Sequence, residues 1–121
     1  MDTILIIDDS DTYRTILRKI LEQNGYKVIE ASDGAKGISI YRENPTDLII
    51  TDIIMPEKEG IETIRELTKE FSNIKIIAIS GGGRIGAEDY LHIAKMLGAQ
   101  RTLTKPIKRD KLINVVEELL R

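Results

Sequence analysis

The chain has 121 residues, 41% of them hydrophobic and 31% charged, which is enough for one compact domain and too few for two. Its 18 basic and 20 acidic residues are scattered and leave a formal net charge of -2, so nucleic acid is not an expected direct partner. The absence of cysteine excludes disulfides and thiolate metal sites, and no apolar run reaches the roughly 20 residues that span a bilayer. We therefore expect a soluble protein of the cytoplasm with no membrane partner.

Short apolar runs alternate with segments of helical spacing along the whole chain. The runs are rich in isoleucine and nearly unbroken, which is typical of parallel strands buried on both faces. Gly25, Asn44 and Gly98 follow helical segments, at positions where helices commonly end. The predicted elements, in chain order, are a strand at 4–7, a helix at 13–21, a strand at 26–30, a helix at 35–42, a strand at 48–50, a helix at 61–71, a strand at 74–79, a helix at 91–97, a strand at 101–104 and a helix at 112–119.

This strict alternation predicts the fold class. Five strands and five helices in βα order imply right-handed crossovers, and therefore an α/β protein with a five-stranded parallel sheet and helices on both faces. In the order 2-1-3-4-5 of flavodoxin-like doubly wound sheets, the first and third strands are neighbours at the switch point, where ligands bind.

Acidic residues follow those two strands. Asp8 and Asp9 come directly after the first, and Asp52 comes after the third. Three carboxylates in close proximity repel one another and raise the pKa of at least one unless a cation lies among them, and an all-oxygen ligand set favours Mg²⁺. The alternative for the first group is that Asp8-Asp9-Ser10-Asp11 only caps the first helix. Capping does not explain Asp52.

A hydroxyl and an amine follow two further strands. Ser80 and Lys105 come after the fourth and fifth strands, on the same edge as the acids. A loop serine is ordinarily a turn residue and a lysine is ordinarily solvated, but together they can donate to and neutralise a phosphoryl group. Pro106 follows Lys105, and the frequency of cis bonds before proline predicts a trans bond there.

The whole chain resembles a response-regulator receiver domain, the chemotaxis-regulator-like phosphoacceptor of two-component systems. The matching residues are Asp8-Asp9, Asp52, Met55-Pro56, Gly60, Ser80 and Lys105-Pro106.

The resemblance implies a function and assigns site residues. Asp52 accepts a phosphoryl group from the phosphohistidine of a sensor histidine kinase or a histidine phosphotransfer protein. Mg²⁺ is held by Asp8, Asp9, Asp52 and the backbone carbonyl of Ile54, and Ser80 and Lys105 contact the phosphoryl oxygens. The Lys105-Pro106 bond is cis.

Such a protein is not an enzyme, although it assists its own phosphorylation and dephosphorylation. Residues 1–121 form the receiver domain, no effector domain is expected in this chain, and the output is the binding of an unidentified downstream protein. Phosphorylation is expected to switch the 80–86 loop and the face of the fourth helix.

Two positions depart from the family pattern. Thr102 lies where receivers usually have a Tyr or Phe that rotates inward, so we predict that the signal travels through the glycine loop, with Tyr90 as the movable ring. Ile54 is apolar where the family often has a polar side chain that influences water attack, which predicts a long-lived phosphoprotein.

Other functions fit the residues less well. The loop matches a dinucleotide-binding glycine pattern but lacks its acidic partner, and an Asp-nucleophile phosphatase needs a second acid where Ile54 lies. A flavin mononucleotide module would repel its phosphate at Asp8-Asp9. A receiver-like interaction module that is not phosphorylated stays open as an alternative. His92, the only histidine, is interpreted as a surface or packing residue.

Overall fold

The computed structural model describes residues 2–53, 59–81, 92 and 94–121. The strands are β1 (Thr3–Ile7), β2 (Lys27–Ala31), β3 (Leu48–Asp52), β4 (Ile76–Gly81) and β5 (Arg101–Lys105). The helices are α1 (Asp11–Gln23), α2 (Gly34–Glu43), α3 (Glu59–Glu70) and a C-terminal helix (Arg109–Leu120). His92 and residues 94–96 are also helical and belong to the predicted fourth helix.

All strand pairs are parallel, and their order is β2-β1-β3-β4-β5. The register pairs Asp52 of β3 with Ile79 of β4, and Gly81 of β4 with Lys105 of β5. The predicted fold class and strand order are therefore confirmed. Because the strands are parallel, their carboxyl ends lie along one edge of the sheet.

Two hydrophobic clusters cover the two faces of the sheet, so the prediction of helices on both faces is also confirmed. Side chains alternate between the faces, as a strand requires. The first cluster joins α2, α3 and Ala94 to one face, with members that include Ile7, Ile38, Tyr41, Ile49, Ile64, Leu67 and Ala78. The second joins α1 and the C-terminal helix to the other, with members that include Ile6, Leu17, Leu21, Ile50, Ile79, Leu112 and Val116.

The helix ends agree with the sequence signals. Gly25 and Gly98 have positive φ angles of 88° and 120°, and Asn44 is the C-cap of α2. β4 ends at Gly81, two residues beyond the predicted end at 79, and its start also differs, because the strand begins at Ile76 and not at Ile74. The side-chain amide of Gln100 explains this: it accepts from the Ile76 amide and donates to the Ile74 carbonyl, both at 2.7 Å, in place of a strand partner.

Gly60 brings α3 against the end of β3. A Cβ at this position would lie 2.3 Å from the Ile53 Cα and 2.4 Å from the Asp52 carbonyl oxygen. Only glycine allows this approach, which sets the position of the residues at the end of β3.

No helix in the described part of the chain is long and apolar enough to cross a membrane.

Candidate functional site

Three acidic side chains meet at the carboxyl edge of the sheet. Asp8 and Asp9 follow β1, Asp52 ends the neighbouring strand β3, and one carboxylate oxygen of each lies within 4.8 Å of the others. Asp8 and Asp52 are only 1% and 4% exposed, whereas Asp9 is exposed. The cluster thus has two buried acids and one at its opening. Its ligand atoms are all oxygens, so these residues fit a hard divalent cation such as Mg²⁺.

The ammonium group of Lys105 reaches this cluster from the end of β5. Its Nζ lies 2.9 Å from Oδ2 of Asp52 and 3.2 Å from Oδ2 of Asp8, and the side chain is 19% exposed. Burial lowers the pKa of Lys105, but the hydrogen bond and charge of Asp52, together with the charge of Asp8, outweigh burial and raise that pKa overall. Lys105 is therefore a retained positive charge beside both buried acids.

Burial and charge also shift the Asp8 carboxyl. Its pKa is raised, first by burial and then by the neighbouring charge of Asp52, against the lowering effects of the Ser10 amide and Lys105. The predicted rise for at least one acid of the cluster is thus confirmed in direction. Its larger cause is removal from water, and repulsion between the carboxylates is the smaller one.

The loop between β1 and α1 is held by hydrogen bonds of its own. The Asp8 amide donates to the Ala31 carbonyl at 3.1 Å, and the Ser10 amide donates to Oδ1 of Asp8 at 2.9 Å. Oγ of Ser10 accepts from the Tyr13 amide at 3.1 Å and caps α1. The capping interpretation is therefore correct for Ser10, while the side chains of Asp8 and Asp9 belong to the acidic cluster.

Arg14 supports the same loop and is not among the site residues predicted from the sequence. Its side chain is 12% exposed, and it donates to the Asp8 backbone carbonyl at 2.5 Å. It also pairs with Asp11 and, at 3.3 Å, with Glu30 of β2. The spacing of Asp11 and Arg14 on one helix face is a signal for their pairing, but nothing local indicates Glu30.

Tyr13 is also not among the predicted site residues, because it fits the apolar stripe of the first helix. The Lys105 Nζ lies 4.1 Å from the centroid of the Tyr13 ring. The Tyr13 hydroxyl accepts a hydrogen bond from the Ile107 amide at 3.1 Å. One side chain of α1 thus contacts both Lys105 and the segment that follows it.

Ser80 lies at the predicted edge of the sheet. It is fully buried in β4, paired with Thr104, and its Oγ donates to the Gly81 carbonyl at 3.4 Å. The Lys105-Pro106 bond is cis, as the resemblance implied and against the general expectation of trans.

Several predicted features lie outside the described residues. These are Ile54, Met55-Pro56, residues 82–86 and Tyr90. Among described positions, Thr102 is half-buried in β5 opposite Ala78, and His92 is exposed, in agreement with its interpretation as a surface residue.

The fold and this edge of the sheet define a class of protein. The model of the response regulator receiver domain matches residues 4–117, a range that contains the acidic cluster and Lys105. The chain therefore belongs to the response regulator receiver domain family, the signal-transducing receivers of two-component phosphorelays.

Particular relatives agree with this assignment. The chain is 32% identical to the chemotaxis protein CheY of Halobacterium salinarum over 97% of its own length and 95% of that protein. It is 28% identical to sporulation initiation phosphotransferase F of Bacillus subtilis, over 98% and 94% of the two chains. The crystal structure of a response regulator receiver domain protein from Clostridium thermocellum superposes with a TM-score of 0.90 at 30% identity, covering 99% of this chain and 94% of that one.

Proposed function

We propose that Asp52 accepts a phosphoryl group from the phosphohistidine of a sensor histidine kinase or a histidine phosphotransfer protein. The observation that supports this most directly is the surroundings of the Asp52 carboxylate. It is almost fully buried, it lies 2.9 Å from the Lys105 ammonium, and it shares a cluster with Asp8 and Asp9. A buried carboxylate beside a fixed positive charge and a metal-ligand set suits transfer of an anionic group.

Asp8, Asp9 and Asp52, with the backbone carbonyl of Ile54, would hold Mg²⁺. When bound, the ion offsets negative charge on the phosphoryl oxygens. The fit rests on the all-oxygen ligand set and on the separation of the carboxylate oxygens, which all lie within 4.8 Å of one another.

The remaining steps belong to residues of this chain. An oxygen of the Asp52 carboxylate attacks phosphorus in line as the bond from phosphorus to the donor histidine nitrogen breaks, and the product is an aspartyl phosphate. The Lys105 ammonium, already beside Asp52, neutralises charge on the phosphoryl oxygens, and the Ser80 hydroxyl donates to one of them.

The new dianionic group is the input to a conformational switch. We assign the switch to residues 80–86 and the face of the fourth helix, because Ser80 lies at the end of β4, leads into this segment and can be drawn towards the phosphoryl group. Thr102, too small to fill an aromatic pocket, supports a route through the loop, with Tyr90 as the moving ring. The switch changes the affinity for a downstream protein.

Residues 1–121 act as one receiver domain in this proposal. The family match over residues 4–117 and the single continuous sheet support this extent.

Incubation with acetyl phosphate and Mg²⁺ tests the proposal, with intact-mass measurement as the readout. We expect one added phosphoryl group, sensitive to hydroxylamine, that is absent from Asp52→Asn and absent when Mg²⁺ is chelated. Asp110→Asn is the matched control, because Asp110 lies in the first turn of the C-terminal helix and outside the acidic cluster. It is expected to be phosphorylated like the parent.

The same experiment separates the alternatives. An interaction module that is not phosphorylated gains no mass. A phosphatase releases inorganic phosphate repeatedly without accumulating the phosphorylated form. Either result would contradict the assignment of Asp52 as a phosphoacceptor.

A further inference from the structure

We propose that Tyr13 is a positioning residue for Lys105. Its ring holds the ammonium group beside Asp52, and its hydroxyl holds the chain that follows Lys105. This inference rests on the proposed function, in which Lys105 contacts the phosphoryl oxygens.

The first observation is the contact between the ring and the ammonium group. The Lys105 Nζ lies 4.1 Å from the ring centroid, within the range in which the negative face of an aromatic ring attracts a cation. A lysine side chain has many rotamers, and holding it in one of them is entropically unfavourable. The ring provides a third contact for Nζ in addition to Asp8 and Asp52, so it favours the rotamer that points into the site.

The second observation is the hydrogen bond of the Tyr13 hydroxyl. It accepts from the Ile107 amide at 3.1 Å, only two residues beyond Lys105. The same side chain therefore contacts the lysine head group and the backbone segment that follows it. Two contacts on a single segment define the position of Lys105 better than either one alone.

The third observation is how α1 places the ring. The Tyr13 amide donates to Oγ of Ser10, and the Ser10 amide donates to the Asp8 carboxylate. The N-cap residue Ser10 thus connects the Asp8 carboxylate to the backbone of Tyr13, and the ring of Tyr13 contacts Lys105. Tyr13 also packs against the hydrophobic cluster between α1 and the sheet, but an aliphatic side chain there could make neither the contact with the ammonium group nor the hydrogen bond to Ile107.

Two substitutions separate the contributions of the ring and the hydroxyl. Tyr13→Phe keeps the ring and removes the acceptor for Ile107, and Tyr13→Leu removes both while keeping an apolar side chain. Tyr26→Leu is the matched control. Tyr26 packs against the same hydrophobic cluster, but it precedes β2 and so lies at the opposite edge of the sheet.

The affinity for beryllofluoride at saturating Mg²⁺, measured by NMR titration, reports the contact of Lys105 with a phosphoryl mimic. We expect Tyr13→Leu to bind about five- to tenfold more weakly than the parent, from the usual strength of a partly desolvated cation–ring contact. Tyr13→Phe should be intermediate, and Tyr26→Leu should match the parent. With Lys105→Met as background, the effect of Tyr13→Leu should disappear, because the ring acts through the ammonium group.

Hydrogen exchange of the Ile107 amide tests the hydroxyl contact without any ligand. Exchange should be faster in Tyr13→Phe than in the parent by about fivefold, which is the usual effect of one hydrogen bond. The exchange rates of the β3 amides should stay unchanged, because only the hydrogen bond from the Ile107 amide is lost.

Three results would overturn the proposal. These are parent-like beryllofluoride affinity in Tyr13→Leu, an equal weakening in Tyr26→Leu, and undiminished weakening by Tyr13→Leu in the Lys105→Met background. If Tyr13→Leu does not fold, incorporation of pentafluorophenylalanine at position 13 keeps the shape and removes the attraction for a cation, and the same weakening is expected.

Failure of the proposed function gives a different pattern. In that case neither the parent nor Tyr26→Leu binds beryllofluoride, and the Lys105 side-chain rotamers in the ligand-free protein decide the positioning role. Three-bond couplings should show one dominant rotamer in the parent and averaging in Tyr13→Leu. A single rotamer in both proteins would overturn the inference.

Discussion

The substitution Gly60→Ala should disturb the end of β3 because the added methyl group meets backbone. A Cβ on Gly60 would lie 2.3 Å from the Ile53 Cα, 2.4 Å from the Asp52 carbonyl oxygen and 2.8 Å from the Ile53 carbonyl carbon. None of these atoms can move by changing a side-chain rotamer. Either the start of α3 or the end of β3 must shift.

Gly37 provides a control with the same nominal overlap. A Cβ on Gly37 of α2 would lie 2.3 Å from Cδ1 and 2.7 Å from Cγ1 of Ile7. Those atoms belong to a side chain, which can be displaced by rotation about its own bonds even though Ile7 is buried and β-branched, whereas backbone atoms cannot move in this way. The two substitutions therefore introduce the same group into a helix at equal overlap, against backbone in one protein and against a side chain in the other.

The expected magnitudes follow from two opposing effects. Replacing glycine by alanine stabilises a helix by up to about 1 kcal/mol, the full value applying to the interior and less to Gly60 in the first turn of α3, and overpacking destabilises by about 1–3 kcal/mol. For Gly37→Ala the two effects nearly cancel, since Ile7 can adjust. For Gly60→Ala the overpacking is expected at about 3 kcal/mol or more, which leaves a net loss of about 2 kcal/mol in the free energy of unfolding.

Urea denaturation of the parent and both variants measures this difference, and phosphorylation by acetyl phosphate measures its effect on Asp52. Gly60→Ala should unfold at lower urea with an unchanged slope, and its phosphorylation should slow because the residues at the end of β3 are displaced. Gly37→Ala should resemble the parent in both assays. If Gly60→Ala were as stable as Gly37→Ala, the reasoning from backbone overlap would be wrong.

Three further predictions concern the site and its supports. Burial raises the Asp8 pKa above its ordinary value of 3.8, so the stability associated with this group is full below that value and is lost as the pH rises through the folded-state pKa. Asp8→Asn is neutral at position 8 at every pH. With a chelator present at pH 7, its free energy of unfolding should therefore be higher than that of the parent. Denaturation experiments should find this difference shrinking as the pH falls towards 3.8. Arg14→Met should lower the free energy of unfolding by about 1–3 kcal/mol and weaken Mg²⁺ binding, because the Asp8 carbonyl loses its donor. Arg18→Met, which removes a second partner of Glu30 without touching Asp8, should leave the Mg²⁺ affinity measured by titration near that of the parent. Ile54→Asn should shorten the half-life of the phosphorylated protein, followed by loss of the added mass, and an unchanged half-life would contradict the role assigned to residue 54.

The sheet and the acidic cluster were predictable because both depend on local pattern and strand order. Unbroken apolar runs indicated buried parallel strands, and acids after neighbouring strands had to meet at one edge. The different exposures of Asp8 and Asp9 were not predictable from two adjacent identical residues. They follow from the direction of the chain as it leaves β1, which hydrogen bonds to Ala31 and Ser10 determine.

The supports of the site were not predictable for a related reason. Tyr13 fits the apolar stripe of α1, and its contact with Lys105 joins residues far apart in sequence. In the sequence Arg14 resembles an ordinary surface cation, and its ion pair with Glu30 depends on the packing of β2 beside α1. The first residue of β4 was misplaced because Gln100, from a distant segment, satisfies the backbone of residues 74 and 76. Each of these errors depends on a tertiary contact with no counterpart in local spacing.

The two hydrophobic clusters have a consequence for how such a domain diversifies. The sheet backbone separates the cluster under α2 and α3 from the cluster under α1 and the C-terminal helix. Side chains of the two clusters lie on opposite sides of the sheet, so the effects on stability of substitutions in one cluster and in the other should add. Helices on one face can then accumulate changes, or be exchanged with those of another receiver, while the other face keeps its packing and the strand ends keep Asp52 and Lys105 in place.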